Sequence, residues 1–128
     1  MLTNQEIFDK ALFGIRGQGY QRSVSDFGCA YRGHNGLKCA VGHCIDDETA
    51  MLWDEKFKYH NGLDYIYMVD FGTFKKHFEP YQINLLAFLQ TAHDCILRDS
   101  VKDFETNMKH IAQMFGLVYT APEPEATE

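Results

Sequence analysis

Ile7, Ala11 and Ile15 recur at every fourth position, with Phe8 and Leu12 beside them, so the start of the chain carries one apolar stripe at helical spacing. Thr3-Asn4-Gln5-Glu6 has the form of a capping box, in which each end side chain satisfies an orphan backbone donor, and Gly17 or Gly19 supplies the stop. A second stripe opens near Pro80. Leu85, Leu86, Leu89, Ala92, His93, Ile96 and Leu97 form a wide apolar face, while Asn84, Thr91, Asp94 and Arg98 turn outward. A third follows from Ser100, whose side chain can cap, with Asp103 three residues on. Phe104, Met108, Ile111 and Phe115 then fall at helical intervals, and Gly116 ends the run.

Between the first and second helices the pattern changes. Short β-favouring runs near 27–32 and 37–42 flank Arg32-Gly33-His34-Asn35-Gly36, and Asn-Gly is a strong hairpin signal because both residues tolerate positive φ. Side chains alternate with period 2. A two- or four-residue loop therefore sends Cys29 and Cys39, and likewise Arg32 and Lys38, to opposite faces; only an odd loop or a bulge unites each pair. Asp46-Asp47-Glu48 is read as capping a short helix through Met51, Leu52 and Trp53, Asn61-Gly62 marks a turn, and Tyr65-Ile66-Tyr67-Met68-Val69 reads as a strand broken by Gly72. The predicted architecture is α+β. A small antiparallel sheet, with its central hairpin near 27–42, packs against one N-terminal and two C-terminal helices, which bury Ile7, Ile15, Leu86, Leu89, Phe104, Ile111 and Phe115 against Phe27, Cys39 and Val41.

Composition sets bounds on this picture. The 128 residues are 45% hydrophobic and 23% charged, enough for one core, so residues 1–121 are read as a single domain and 122–128 as an acidic flexible tail. Twelve Lys and Arg against 18 Asp and Glu leave a net charge of −6, without the basic footprint of a free nucleic-acid binder. Glu123, Glu125 and Glu128 account for half of that net charge, so the body is closer to neutral. No run reaches the roughly 20 apolar residues of a membrane helix, and Met1 to Lys10 lacks a signal-peptide layout. Cys29, Cys39, Cys44 and Cys95 then read as cytosolic thiols, mostly buried, and the expected location is the cytoplasm.

Four constellations invite chemistry. Cys29, Cys39, His43, Cys44 and His34 have zinc-type ligand atoms but no knuckle spacing, and the bland alternative is sheet packing. A Cys nucleophile with His93 and Asp94 meets the difficulty that neighbours on a helix diverge by roughly 100°. Asp46, Asp47, Glu48, Asp54 and Glu55 lack EF-hand spacing and suit helix caps. Neither a metal, nor a cofactor, nor a catalytic residue is expected from these. The fourth is an anion pocket. Arg32 and Lys38 supply phosphate-matching charge beside Gly28, Gly33, Gly36 and Gly42, with Tyr31, His34, Trp53 and His93 completing the expected ligand-binding set. The alternative pairs Arg32 with a carboxylate of the Asp46-Asp47-Glu48 run.

Cys29-Ala30-Tyr31-Arg32-Gly33, Gly36-Leu37-Lys38-Cys39-Ala40-Val41-Gly42 and the later Leu89-Gln90-Thr91-Ala92-His93-Asp94 together resemble a group of small phage and bacterial proteins of uncharacterised activity. Where that group has Cys and then Leu-Ile-Pro after the glycine, this chain has His43-Cys44-Ile45-Asp46. The resemblance implies a phage setting. The expected function is a non-catalytic counter-defence protein that sequesters a small phosphate-bearing, nucleotide-like ligand. Two alternatives stand beside it: a protein-binding inhibitor of a host defence complex (anti-CRISPR-like), and a small hydrolase acting on a nucleotide signal. A homo-oligomer is left open. The aromatic residues from Trp53 to Phe78 are the expected meeting place for a ligand or partner.

Overall fold

A computed structural model describes residues 1–58, 62–94 and 101–122, with the backbone alone at 93 and 94. Asn61, Cys95, Ile96, Leu97, Arg98, Ser100, the His93 and Asp94 side chains and most of the acidic tail lie outside the described residues.

The fold is α+β and dominated by helix. The capping box forms as expected: Thr3 Oγ1 accepts from the Glu6 N–H at 3.1 Å and Glu6 Oε1 accepts from the Thr3 N–H at 2.9 Å. It opens α1, Asn4–Gly17, which buries Ile7, Phe8, Ala11, Leu12 and Ile15. The chain then makes a minimal antiparallel pair, β1 (Val24–Ser25) and β2 (Gly28–Cys29), with Val24 opposite Cys29 and Ser25 opposite Gly28. Asp46 accepts from the Thr49 N–H at 2.7 Å and caps α2, Asp47–Lys56. Two short helices follow, α3 (Leu63–Val69) and α4 (Phe71–His77). A 3₁₀ turn, Pro80–Gln82, leads into α5, Ile83–Asp94. The last helix, α6, spans Val101–Phe115, and Gly116 at φ 66° ends it, with the Leu117 N–H donating to Ala112 O at 2.8 Å.

Two expectations need correction. Tyr65–Val69 is helical and Gly72 lies inside α4 rather than ending a strand. The β-favouring composition yields because Leu63 and Ile66, three residues apart, turn onto one buried face against α5. The hairpin is also smaller and shifted. Asn35 and Gly36 do turn the chain at φ 61° and 73°, but the flanking arms meet only in a bridge between Arg32 and Lys38. Thus the odd register holds, with five residues between the bridged pair. Beyond it, Val41–Cys44 coils into a 3₁₀ turn instead of continuing a strand. This turn packs against α1 and approaches Tyr31 so closely that a Cβ on Gly42 would sit 2.6 Å from the Tyr31 carbonyl oxygen. Cys29 and Cys39 are thiols, not joined in a disulfide.

The core runs from the buried face of α1 through Cys39, Ala40 and Val41 to Leu85, Leu86 and Leu89 of α5 and Phe104, Met108 and Ile111 of α6. Phe115 is only half-buried, and Phe27, expected inside, is 52% exposed at the β1–β2 turn. Much of the aromatic middle is core as well, since Trp53, Phe74 and Phe78 are inaccessible to solvent. Among the described residues, no helix is long and apolar enough to cross a membrane.

Candidate functional site

The Gly-rich turn places its residues differently from a phosphate cradle. The Arg32 guanidinium turns inward. Its Nη1 donates to Gly42 O at 2.8 Å and Tyr31 O at 3.1 Å, its Nη2 to Ile45 O at 3.1 Å, and its Nε to Asp47 Oδ1 at 2.9 Å. These N–H donors satisfy carbonyls in and around the 3₁₀ turn, so Arg32 ties the turn to the start of α2. Tyr31 and Trp53 are both fully buried with ring centroids 5.5 Å apart, and a base has no access to either face. Gln90 Nε2 donates to the Tyr31 hydroxyl, and Trp53 Nε1 donates to Asp70 Oδ2 at 3.2 Å. His34 is exposed and lies 3.2 Å from Asp26. Lys38 is bracketed through its backbone by Gln18, which accepts from its N–H at 3.2 Å and donates to its carbonyl at 2.7 Å. The bridge sets Arg32 and Lys38 opposite one another, yet the Arg32 guanidinium is taken up by protein acceptors rather than offered to a ligand.

Arg32 is therefore a stability residue. Arg32→Ala is expected to lower stability by about 2–3 kcal/mol, mostly through three unpaired carbonyls, because the exposed Asp47 pair is screened by water. Urea denaturation checks the magnitude.

A different cleft gathers cationic side chains. It has a volume of about 490 Å³ and is lined by Met1, Leu2, Lys10, His43, Cys44, Ile45, Lys76 and His77. Lys10 comes from α1, His43 and Cys44 from the 3₁₀ turn, and Lys76 and His77 from the end of α4. Among the described residues no carboxylate lines it, although the chain as a whole is acidic. Both imidazoles are held from one side by neutral groups. His43 Nε2 lies 3.0 Å from Gln18 Oε1, and because the Gln18 amide nitrogen already donates to two carbonyls, the imidazole is the donor in that contact. His77 Nε2 lies 2.8 Å from Thr49 Oγ1. A Cβ on Gly14 would fall 2.4 Å from the His43 ring, so glycine is what lets the imidazole lie against α1.

The sulfur in this cleft is not poised for attack. Burial pushes the Cys44 thiol up to about 12, with Lys10 opposing only weakly, so it stays protonated at neutral pH. Its Sγ faces Ile7 O at 3.5 Å. Among the described residues, no three His, Cys, Asp or Glu side chains are grouped as a metal site would require. What the cleft offers is two lysine charges and two fixed imidazoles around a space large enough for a small ligand.

In the sequence His43 stands out only as a metal ligand, and Lys10, Lys76 and His77 do not stand out. Lys75-Lys76-His77 was the visible signal, but basic residues at a helix C-terminus ordinarily complement the macrodipole. Searches against family models, curated proteins and solved structures find no match to this chain.

Proposed function

We propose that this protein is a non-catalytic binder of a small phosphate-bearing ligand, which it holds in the cleft of Lys10, His43, Lys76 and His77. The supporting observation is the segregation of charge: a chain with six more acids than bases lines one concavity with four cationic or imidazole side chains and, among the described residues, no acid. Lysine ammonium groups bind phosphate as point charges, and imidazoles fixed by Gln18 and Thr49 lose little freedom on meeting an anion. The protonated Cys44 thiol favours capture over turnover. The phage-type resemblance adds a setting, in which the bound molecule is a signal removed from the host's defence.

Calorimetry with phosphomonoesters such as ribose 5-phosphate and phenyl phosphate tests this. Lys10→Ala with Lys76→Ala is expected to weaken binding at least tenfold, about 1.4 kcal/mol or more, since two charge-assisted contacts are lost. Lys56→Ala with Lys58→Ala removes the same charge elsewhere and is expected to change affinity less than twofold. No binding by the native chain, or equal loss in both double variants, contradicts the assignment.

A second reading draws on a separate observation. Met51 and Leu52 on α2, and Met68 and Val69 on α3, are exposed apolar side chains, with Met68 at 78%. Such side chains suit a protein partner. Recovery of a stoichiometric protein complex with no small molecule bound would favour an inhibitor of a host complex over ligand capture.

A further inference from the structure

The basic cleft does not end at His77. Lys76 and His77 also line a second cavity of about 270 Å³, whose remaining walls are Asp46, Glu48, Thr49, Leu52 and Thr73. The two spaces share those side chains and differ in what surrounds them. The first adds the Lys10 ammonium and the His43 imidazole; the second adds two carboxylates, two hydroxyls and one apolar side chain. Resting on the phosphate-binding reading above, we infer that the ligand is a sugar phosphate that spans both, its phosphate in the basic cleft and its hydroxyls in the acidic cavity.

Ionised carboxylates only accept hydrogen bonds, so they select a ligand portion rich in O–H donors and repel phosphate toward the lysines. Thr73 already donates its hydroxyl proton to Asp70 Oδ1 at 3.1 Å, which leaves its oxygen as an acceptor facing the cavity. Asp46 has one oxygen engaged by the Thr49 N–H at 2.7 Å, and its carboxyl is held below the ordinary range by the Thr49 hydrogen bonds, so it stays ionised at neutral pH. Leu52 offers an apolar contact for the C–H face of a sugar ring. Among the described residues neither cavity is lined by Phe, Tyr or Trp, so they offer a nucleobase no indole, phenol or phenyl face on which to stack. Hydroxyl recognition, rather than base recognition, is what this arrangement supports.

Glu48 is the residue to test, because Asp46 caps α2 whereas Glu48 is exposed in its first turn. In calorimetry on the full chain, ribose 5-phosphate is expected to bind at least tenfold more tightly than phenyl phosphate, which keeps the phosphate and replaces the hydroxyls with an apolar ring. Glu48→Gln is expected to weaken ribose 5-phosphate about fivefold to tenfold while leaving phenyl phosphate unchanged or tighter. The opposite signs separate hydroxyl recognition from simple removal of negative charge, which would tighten both. Equal affinities in the native protein, or tightening of both ligands in Glu48→Gln, overturn this inference and leave the phosphate cleft standing. Failure of both phosphates to bind, or indifference to Lys10→Ala with Lys76→Ala, overturns the cleft itself and this inference with it.

Discussion

Trp53→Ala is expected to cost about 3–5 kcal/mol of folding stability, the range for removing a buried indole from a core that can only partly collapse around the void. Trp53 has no solvent exposure, packs its ring at 5.5 Å from Tyr31 and donates to Asp70. Asp70 also accepts from Thr73 at the start of α4, so loss of the indole loosens the helix that carries Lys76 and His77. For a domain with roughly 5–15 kcal/mol to lose, this is a large fraction. Urea denaturation followed by far-ultraviolet circular dichroism measures it. Trp53→Phe retains most of the apolar contact and is expected to cost less than half as much. A change below 1 kcal/mol for Trp53→Ala would mean that the ring is not the centre of the packing described.

Glu105 is the second position where one change has a large effect. Its carboxylate is nearly buried and accepts from Arg16 Nε at 2.9 Å and Nη2 at 2.6 Å, and from the hydroxyls of Tyr20 at 2.9 Å and Tyr119 at 2.6 Å. Arg16 also donates to Thr120 O, and Gln5 pairs with both the N–H and the carbonyl of Val118, so the network fastens the C-terminal segment across α1 and α6. Glu105→Ala would strand a poorly solvated guanidinium and two hydroxyls, at an expected cost of about 3 kcal/mol.

The same network sets a pH window. Burial alone would raise the Glu105 carboxyl, but hydrogen bonds from Arg16, Tyr119 and Tyr20 outweigh it and hold the group below its ordinary value of 4.5. Its contribution is therefore present above about pH 4.5 and is lost as pH falls through the lowered value in the folded protein. Burial, and then the bond to Glu105, raises the Tyr20 and Tyr119 hydroxyls above their ordinary 10.0. Their contribution is present below about pH 10 and is lost as pH rises through the raised values. Glu105→Gln is expected to flatten both limbs of the stability profile, as read from thermal unfolding between pH 3 and 11. Asp54 acts in the opposite sense: burial raises its carboxyl despite the Tyr31 and Arg32 N–H donors, so its ionisation subtracts stability as pH rises.

Helices with strong local signals were legible from the chain. Thr3 and Glu6 bracket α1, Phe104, Met108 and Ile111 share one buried stripe of α6, and Gly116 ends it, because caps and periodicity act over a few residues. Tyr65–Val69 was not legible. Its residues favour strands, and the helix is decided by the buried face of Leu63 and Ile66 meeting α5, where Gln90 accepts from the Leu63 N–H. Arg32 shows the same limit at the level of chemistry. A cation beside glycines looks like a phosphate cradle, but the carbonyls of Tyr31, Gly42 and Ile45 take up the guanidinium, and the pairing with Asp47 was the other reading of that residue. The cleft was hidden for a different reason. Lys10, His43, Lys76 and His77 are drawn from three distant segments and share no spacing that a linear reading could use.

We propose that phosphate is met between α1, the Val41–Cys44 turn and the end of α4. Titration of the isotope-labelled full chain with ribose 5-phosphate, followed by amide resonances, reads this residue by residue. Binding in that cleft predicts the largest shifts at Lys10, His43, Cys44, Lys76 and His77, saturating together. Shifts centred on Arg32, His34 and Lys38, or none at millimolar ligand, would contradict it.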